Sequence, residues 1–144
     1  MSETAPDALS ADSDRIEVSI PLRTEYFATL RTVAASVGAD AGFSIDEIDD
    51  LRLAISEVVA SLADGELAPG DRVETSFEFD SRGVTVTIEA DKRDKEIELD
   101  DLASSILSSV VDSYSIDGAR VILVKLASEA TSAVSDAEST ITQA

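Results

Sequence analysis

The stretch "DLRLAISEVVASLAD", residues 50–64, places apolar side chains at Leu51, Ile55, Val58 and Leu62, at spacings of four, three and four. That is one stripe of an α-helix. Upstream, Ile48 extends the stripe, and Ser44 with Glu47 three residues on forms a capping box, while Phe43 and Ile48 fit the hydrophobic staple. The helix is predicted from Ile45 to about Asp64, where "DGELAPGD" breaks it with Gly65, Pro69 and Gly70. Leu53, Glu57 and Ser61 stand at i, i+4 and i+8, on one line off the apolar stripe. Taken alone, Glu57 reads as a solvated helix carboxylate.

The flanking chain alternates between strand and helix signals. "RIEVSIP" sets Ile16, Val18 and Ile20 against Glu17 and Ser19, a half-buried strand stopped by Pro21. A helix follows from about Thr24 as N-cap, with Phe27, Leu30, Ala34 and Val37 on one face and Gly38 and Gly42 bracketing its end. "VETSFEFD" and "VTVTIEA" form a hairpin around Ser81, Arg82 and Gly83, with Phe77 and Phe79 facing away from Glu74, Ser76 and Glu78. "LASSILSSVV" is a third helix capped by Asp100 or Asp101, with Leu102, Ile106, Leu107, Val110 and Val111 as its apolar face. Its Ser104, Ser105, Ser108 and Ser109 fall on the polar side as solvated positions. A hairpin over Asp117 and Gly118 closes the chain, and the apolar run Val121–Val124 marks a strand inside the sheet. The order β-α-α-β-β-α-β-β predicts an α+β, two-layer α/β sandwich, its sheet mostly antiparallel with helices on one face.

The expected division is a disordered acidic segment over residues 1–14, one domain over 15–127 and a polar, acidic tail over 128–144. No apolar run approaches the roughly 20 residues that cross a bilayer. The first segment, with Glu3, Asp7, Asp12 and Asp14 and no basic residue, lacks the pattern of a secretory signal, so a cytoplasmic location is expected. The chain of 144 residues contains no Cys and no His, which excludes disulfides, thiol nucleophiles and His-based chemistry. With 30 acids against 11 bases the net charge is −19, which opposes direct binding to nucleic acid. That charge serves solubility or a saline cytoplasm on one reading, and a basic protein partner on the other.

With "IPLRTEYFATLRTVAASVGADAGFSIDEIDDLRLAISEVVASL" at its front, the chain resembles the anti-sigma factors of the serine-protein-kinase type. These belong to the gyrase- and histidine-kinase-like ATPases (the Bergerat fold), and the actinobacterial sigma-F and sigma-B regulators are the most similar group. The resemblance spans roughly Ile16 to Leu126 and is strongest before Val73. It implies ATP and magnesium as the ancestral cofactors. In the family a helix glutamate activates the hydroxyl nucleophile, and an asparagine four residues later holds the magnesium. Glu57 matches the glutamate, whereas Ser61 stands in place of the asparagine.

Other family features are missing. The Asp-x-Gly-x-Gly box that reads adenine and admits the nucleotide is replaced by "DKRDK", which keeps Asp91 but neither glycine. Asp91 and Asp101 are too close in sequence for the family's lid, and the third helix opens Asp101-Leu102-Ala103 where the second glycine box belongs. Gly118 matches the final hairpin glycine, and Lys125 matches a lysine of the last strand, read here as an edge-facing cation. Glu57 is therefore expected to be a vestige of a catalytic residue, Ser61, Asp91 and Gly118 vestiges of a cofactor site, and no cofactor or metal is expected.

The family's first helix faces the sigma factor and its antagonist through an arginine, which Arg31 matches. Phe27 and Glu25 are expected beside it as partner-binding residues, with Tyr26 and Arg23 as weaker neighbours. The expected partners are a sigma factor, an anti-anti-sigma antagonist and a second copy of the chain, through the first helix and strand. The expected function is an anti-sigma factor working without ATP-dependent phosphorylation. The alternatives are an active ATP-dependent serine protein kinase and an adaptor of the same fold with a non-sigma partner.

Overall fold

The computed structural model describes residues 13–64, 70–90 and 97–128. The elements run β1 (Asp14–Pro21), a 3₁₀ turn (Thr24–Tyr26), α1 (Phe27–Asp40), α2 (Ile45–Ala63), β2 (Arg72–Asp80), β3 (Gly83–Ala90), α3 (Asp101–Val110), β4 (Ser113–Asp117) and β5 (Arg120–Leu126). The strands form one sheet in the order β1-β2-β3-β5-β4, with every neighbouring pair antiparallel. This is the element order and α+β class that the sequence predicts. β5 lies between β3 and β4, as the apolar run Val121–Val124 requires. The extreme N-terminal and C-terminal segments, the "DKRDK" stretch and most of the α2–β2 loop fall outside the described residues.

Period-two alternation separates the sheet into two faces. Val73, Phe77 and Phe79 of β2, Val84, Val86 and Ile88 of β3, and Val121 and Leu123 of β5 are buried. Glu74 and Glu89 lie on the opposite, exposed face. Against the buried face pack Leu30, Ala34 and Val37 of α1, Leu51, Ile55, Val58 and Leu62 of α2, and Leu107 of α3, all in one hydrophobic cluster. Each large aliphatic side chain so buried stabilises the fold by about 1.5–3 kcal/mol.

Local signals set the helix ends. Ser44 Oγ accepts the Glu47 N–H (3.1 Å), and Glu47 Oε1 accepts the Ser44 N–H (2.8 Å), which completes the capping box. α1 ends in a Schellman motif: Phe43 N–H donates to Gly38 O (2.9 Å) and Gly42 N–H to Ala39 O (3.1 Å), with Gly42 at φ +86°. Gly38 thus lies inside α1. A Cβ there would stand 3.0 Å from Ile48 Cγ1 and 3.2 Å from Phe43 Cδ2, closer than ordinary van der Waals contact, so those side chains would have to give way. Missing side chain at this point lets α1 approach α2.

Three expectations are corrected. Thr24 does not cap α1: it opens a 3₁₀ turn, and the helix proper starts at Phe27 with no side-chain cap. On α3, Leu102 is 69% exposed, and Ala103 and Leu107 are the buried residues. One position is a rotation of about 100°, so packing through Ala103 turns Leu102 to solvent. Lys125 is not edge-facing: it shares the core face with Val121 and Leu123 and is 8% exposed.

Candidate functional site

The row expected to matter on α2 exists as a surface feature. Leu53 is exposed and Glu57 and Ser61 half-buried, while Leu51, Ile55, Val58 and Leu62 turn inward. Among the described residues Glu57 has no hydrogen bond or ion pair. Nor does any group of three or more His, Cys, Asp and Glu there stand close enough together to hold a metal ion.

The N-terminus of α3 is closed by its own residue. Asp100 is the N-cap, and its Oδ1 accepts the Ala103 N–H at 2.8 Å. Asp101 follows in the first turn. A helix N-terminus favours negative charge, and here two carboxylates of the chain itself occupy that position. Gly118 takes φ +65° in the β4–β5 turn, where Asp117 pairs with Arg120. Its role is the turn. Asp91 lies outside the described residues.

Around the start of α1 the expected partner residues divide. Arg31 is half-buried and has no ion pair or hydrogen bond among the described residues, so its guanidinium is available. Phe27 is 7% exposed and belongs to the core cluster. Glu25 is exposed, and its carboxylate already meets Arg23 at 2.7 Å. Arg23 in turn stacks over the Tyr26 ring, 5.2 Å from its centroid. That exposed pair contributes little to stability.

Two buried polar groups were not read from the sequence. Lys125 Nζ donates to Val110 O at the C-terminal end of α3 (2.9 Å) and lies 3.7 Å from Asp50 Oδ2. A cation at a helix C-terminus is favourably placed. The signal was present, since position 125 is in phase with Val121 and Leu123. Glu47, 8% exposed, accepts the Ser128 N–H at 2.7 Å in addition to its capping bond. Burial acts to raise its pKa, but the hydrogen bonds from Ser128 and Ser44 outweigh it and hold the carboxyl below its ordinary range. No sequence signal joins Glu47 to Ser128, because the two are far apart along the chain.

No family model matches the chain. Its similarity to curated proteins is consistent across several Bacillus species. It is 29% identical over 118 residues to "Serine-protein kinase RsbW" of Bacillus subtilis (strain 168), covering 79% of this chain and 74% of that protein. It is 28% identical over 121 residues to the Bacillus velezensis protein of the same name, covering 81% and 76%. A shorter match to the Bacillus cereus (strain AH187) protein reaches 39% identity over 49 residues, 34% of this chain and 31% of that one. With the two-layer fold and the capped glutamate helix in place, these matches make the chain similar over most of its length to the serine-protein kinases named RsbW.

Proposed function

We propose that this protein is an anti-sigma factor that sequesters an alternative sigma factor by direct binding, is released by an anti-anti-sigma antagonist, and works without ATP-dependent phosphorylation. The RsbW relatives support the partner-switching role. The observation that carries the non-catalytic part is the start of α3, where Asp100 takes up a backbone N–H and Asp101 adds a second carboxylate. A nucleotide phosphate would meet like charge at the helix end that receives it in the family. Ser61 supports the same reading: a serine hydroxyl is a shorter and poorer magnesium ligand than an asparagine amide oxygen. These residues do not fit a magnesium-bound nucleotide in the family's manner, so a hydroxyl activated by Glu57 would have no phosphoryl donor to attack.

The contact with the sigma factor is assigned to the start of α1, with Arg31 as anchor and Glu25 at the rim. Phe27 supports the helix from beneath. A half-buried arginine with no partner among the described residues suits bidentate recognition of a carboxylate. The net charge of −19 favours a partner with basic, DNA-contacting regions and speeds the encounter. Among the described residues β1 is an edge strand, paired on one side only, to β2. This supports a homodimer through the first strand and helix, which light scattering of the purified protein tests directly.

Calorimetric titration with ATP and magnesium, in moderate salt, tests the non-catalytic reading. No heat up to millimolar nucleotide is the expected result. Saturable micromolar binding that weakens in Glu57→Ala would overturn it and restore the serine-kinase activity that the relatives' name states.

A further inference from the structure

Two acids one helical turn apart on α2 grip the end of the last strand. Glu47 accepts the Ser128 N–H (2.7 Å), and the Ser128 hydroxyl also bonds that carboxylate. Asp50 faces the Lys125 ammonium (3.7 Å), which simultaneously donates to Val110 O at the end of α3 (2.9 Å). Between them, Ala127 is buried and its N–H donates to Arg82 O in the β2–β3 turn (2.9 Å). Glu47 has a double duty. Its other oxygen accepts the Ser44 N–H (2.8 Å), so the carboxylate that caps α2 is the one that holds Ser128.

From this geometry we infer that Glu47 and Asp50 form a two-point clasp on the root of the C-terminal segment, binding β5, α2 and α3 into one mechanical unit. The chain enters residues 129–144 directly from Ser128, so a load or a partner acting on that segment is transmitted first to the opening turn of α2. The same helix presents Glu57 and Ser61 on its outer side. The Asp50 contact is half-exposed and screened, whereas the Glu47 bonds are sheltered and charge-assisted, which makes Glu47 the stronger grip.

Amide hydrogen exchange on the full-length protein tests the clasp, with Glu47→Gln, Asp50→Asn, the double variant and Ser128→Ala. In Glu47→Gln the Ser128 amide should exchange faster by on the order of tenfold. The amide of Phe77, at the centre of the sheet, should keep its wild-type rate. Cleavage after Glu129 by a glutamate-specific protease should accelerate in parallel. The double variant should exceed the product of the two single effects, because two points hold one segment. If Glu47→Gln does not fold, Ser128→Ala leaves the helix cap untouched and should raise exchange and cleavage at the same place by a smaller factor. The inference fails if Ser128 exchange and Glu129 cleavage stay at wild-type rates. It also fails if Ser128 exchange rises only in step with Phe77, since that outcome marks global destabilisation and no local grip.

Discussion

Replacing Gly83 by alanine probes how tightly the hairpin that ends at β3 is set against β5. A Cβ on Gly83 would stand 2.4 Å from Lys125 O, 2.8 Å from Leu126 Cα and 3.2 Å from Lys125 C. The first distance falls about 1 Å short of van der Waals contact, and the obstacle is backbone. β5 has little freedom to retreat, because Gly83 is in register with Leu126, the Ala127 N–H is bonded to Arg82 O, and Lys125 is tied to Val110 O. Overpacking of this kind costs about 1–3 kcal/mol. The backbone at φ +156° adds strain for an L-residue, on the order of 1–3 kcal/mol. The stiffer unfolded chain returns about 0.4–1 kcal/mol. A net loss of roughly 3 kcal/mol lowers Tm by on the order of 10–20 °C in a domain of this size. Thermal unfolding followed by circular dichroism measures it, with Gly118→Ala as control. Gly118 also has positive φ, +65°, but nothing lies within 4 Å of its Cβ position, so that variant should lose only about 1 kcal/mol. A Tm for Gly83→Ala within a few degrees of wild type, or equal to that of Gly118→Ala, would refute the close approach of β3 and β5.

Further expectations concern the buried polar groups. Thr75, 2% exposed on the core face of β2, has a hydroxyl with no hydrogen-bonding partner among the described residues. Thr75→Val should therefore stabilise the protein by about 1 kcal/mol, read as a higher urea midpoint at unchanged m-value; a loss of stability would mean that the hydroxyl is satisfied. Because the Glu47 pKa is lowered in the folded state from an ordinary 4.5, its contribution is fully present above that value and is lost as pH falls through the folded pKa. Wild type should exceed Glu47→Gln in stability at pH 7, and the gap should shrink on acidification; a gap independent of pH would show that charge plays no part. Lys125→Met keeps the apolar stem and deletes the bond to Val110 O, so it should cost about 1–2 kcal/mol, with faster amide exchange in the last turn of α3. Unchanged exchange there would remove Lys125 as the cap of that helix.

Every strand and α-helix was legible in the amino-acid sequence, most to within a residue or two of its ends, while the 3₁₀ turn at Thr24–Tyr26 was not. The α2 start was legible because Ser44 and Glu47 satisfy each other within one turn, and β2, β3 and β5 because alternation is a property of the strand alone. The family resemblance and the row of Leu53, Glu57 and Ser61 came from the same local text. Tertiary packing decided which way the marginal cases turned. Leu102 is apolar, but α3 seats itself through Ala103 and Leu107. Lys125 enters the protein because the carbonyl end of α3 and Asp50 wait there to receive its charge. The Glu47 clasp on Ser128 closes across most of the domain. Such contacts are fixed by where the sheet delivers distant segments, and no propensity within a few residues of either end encodes that meeting.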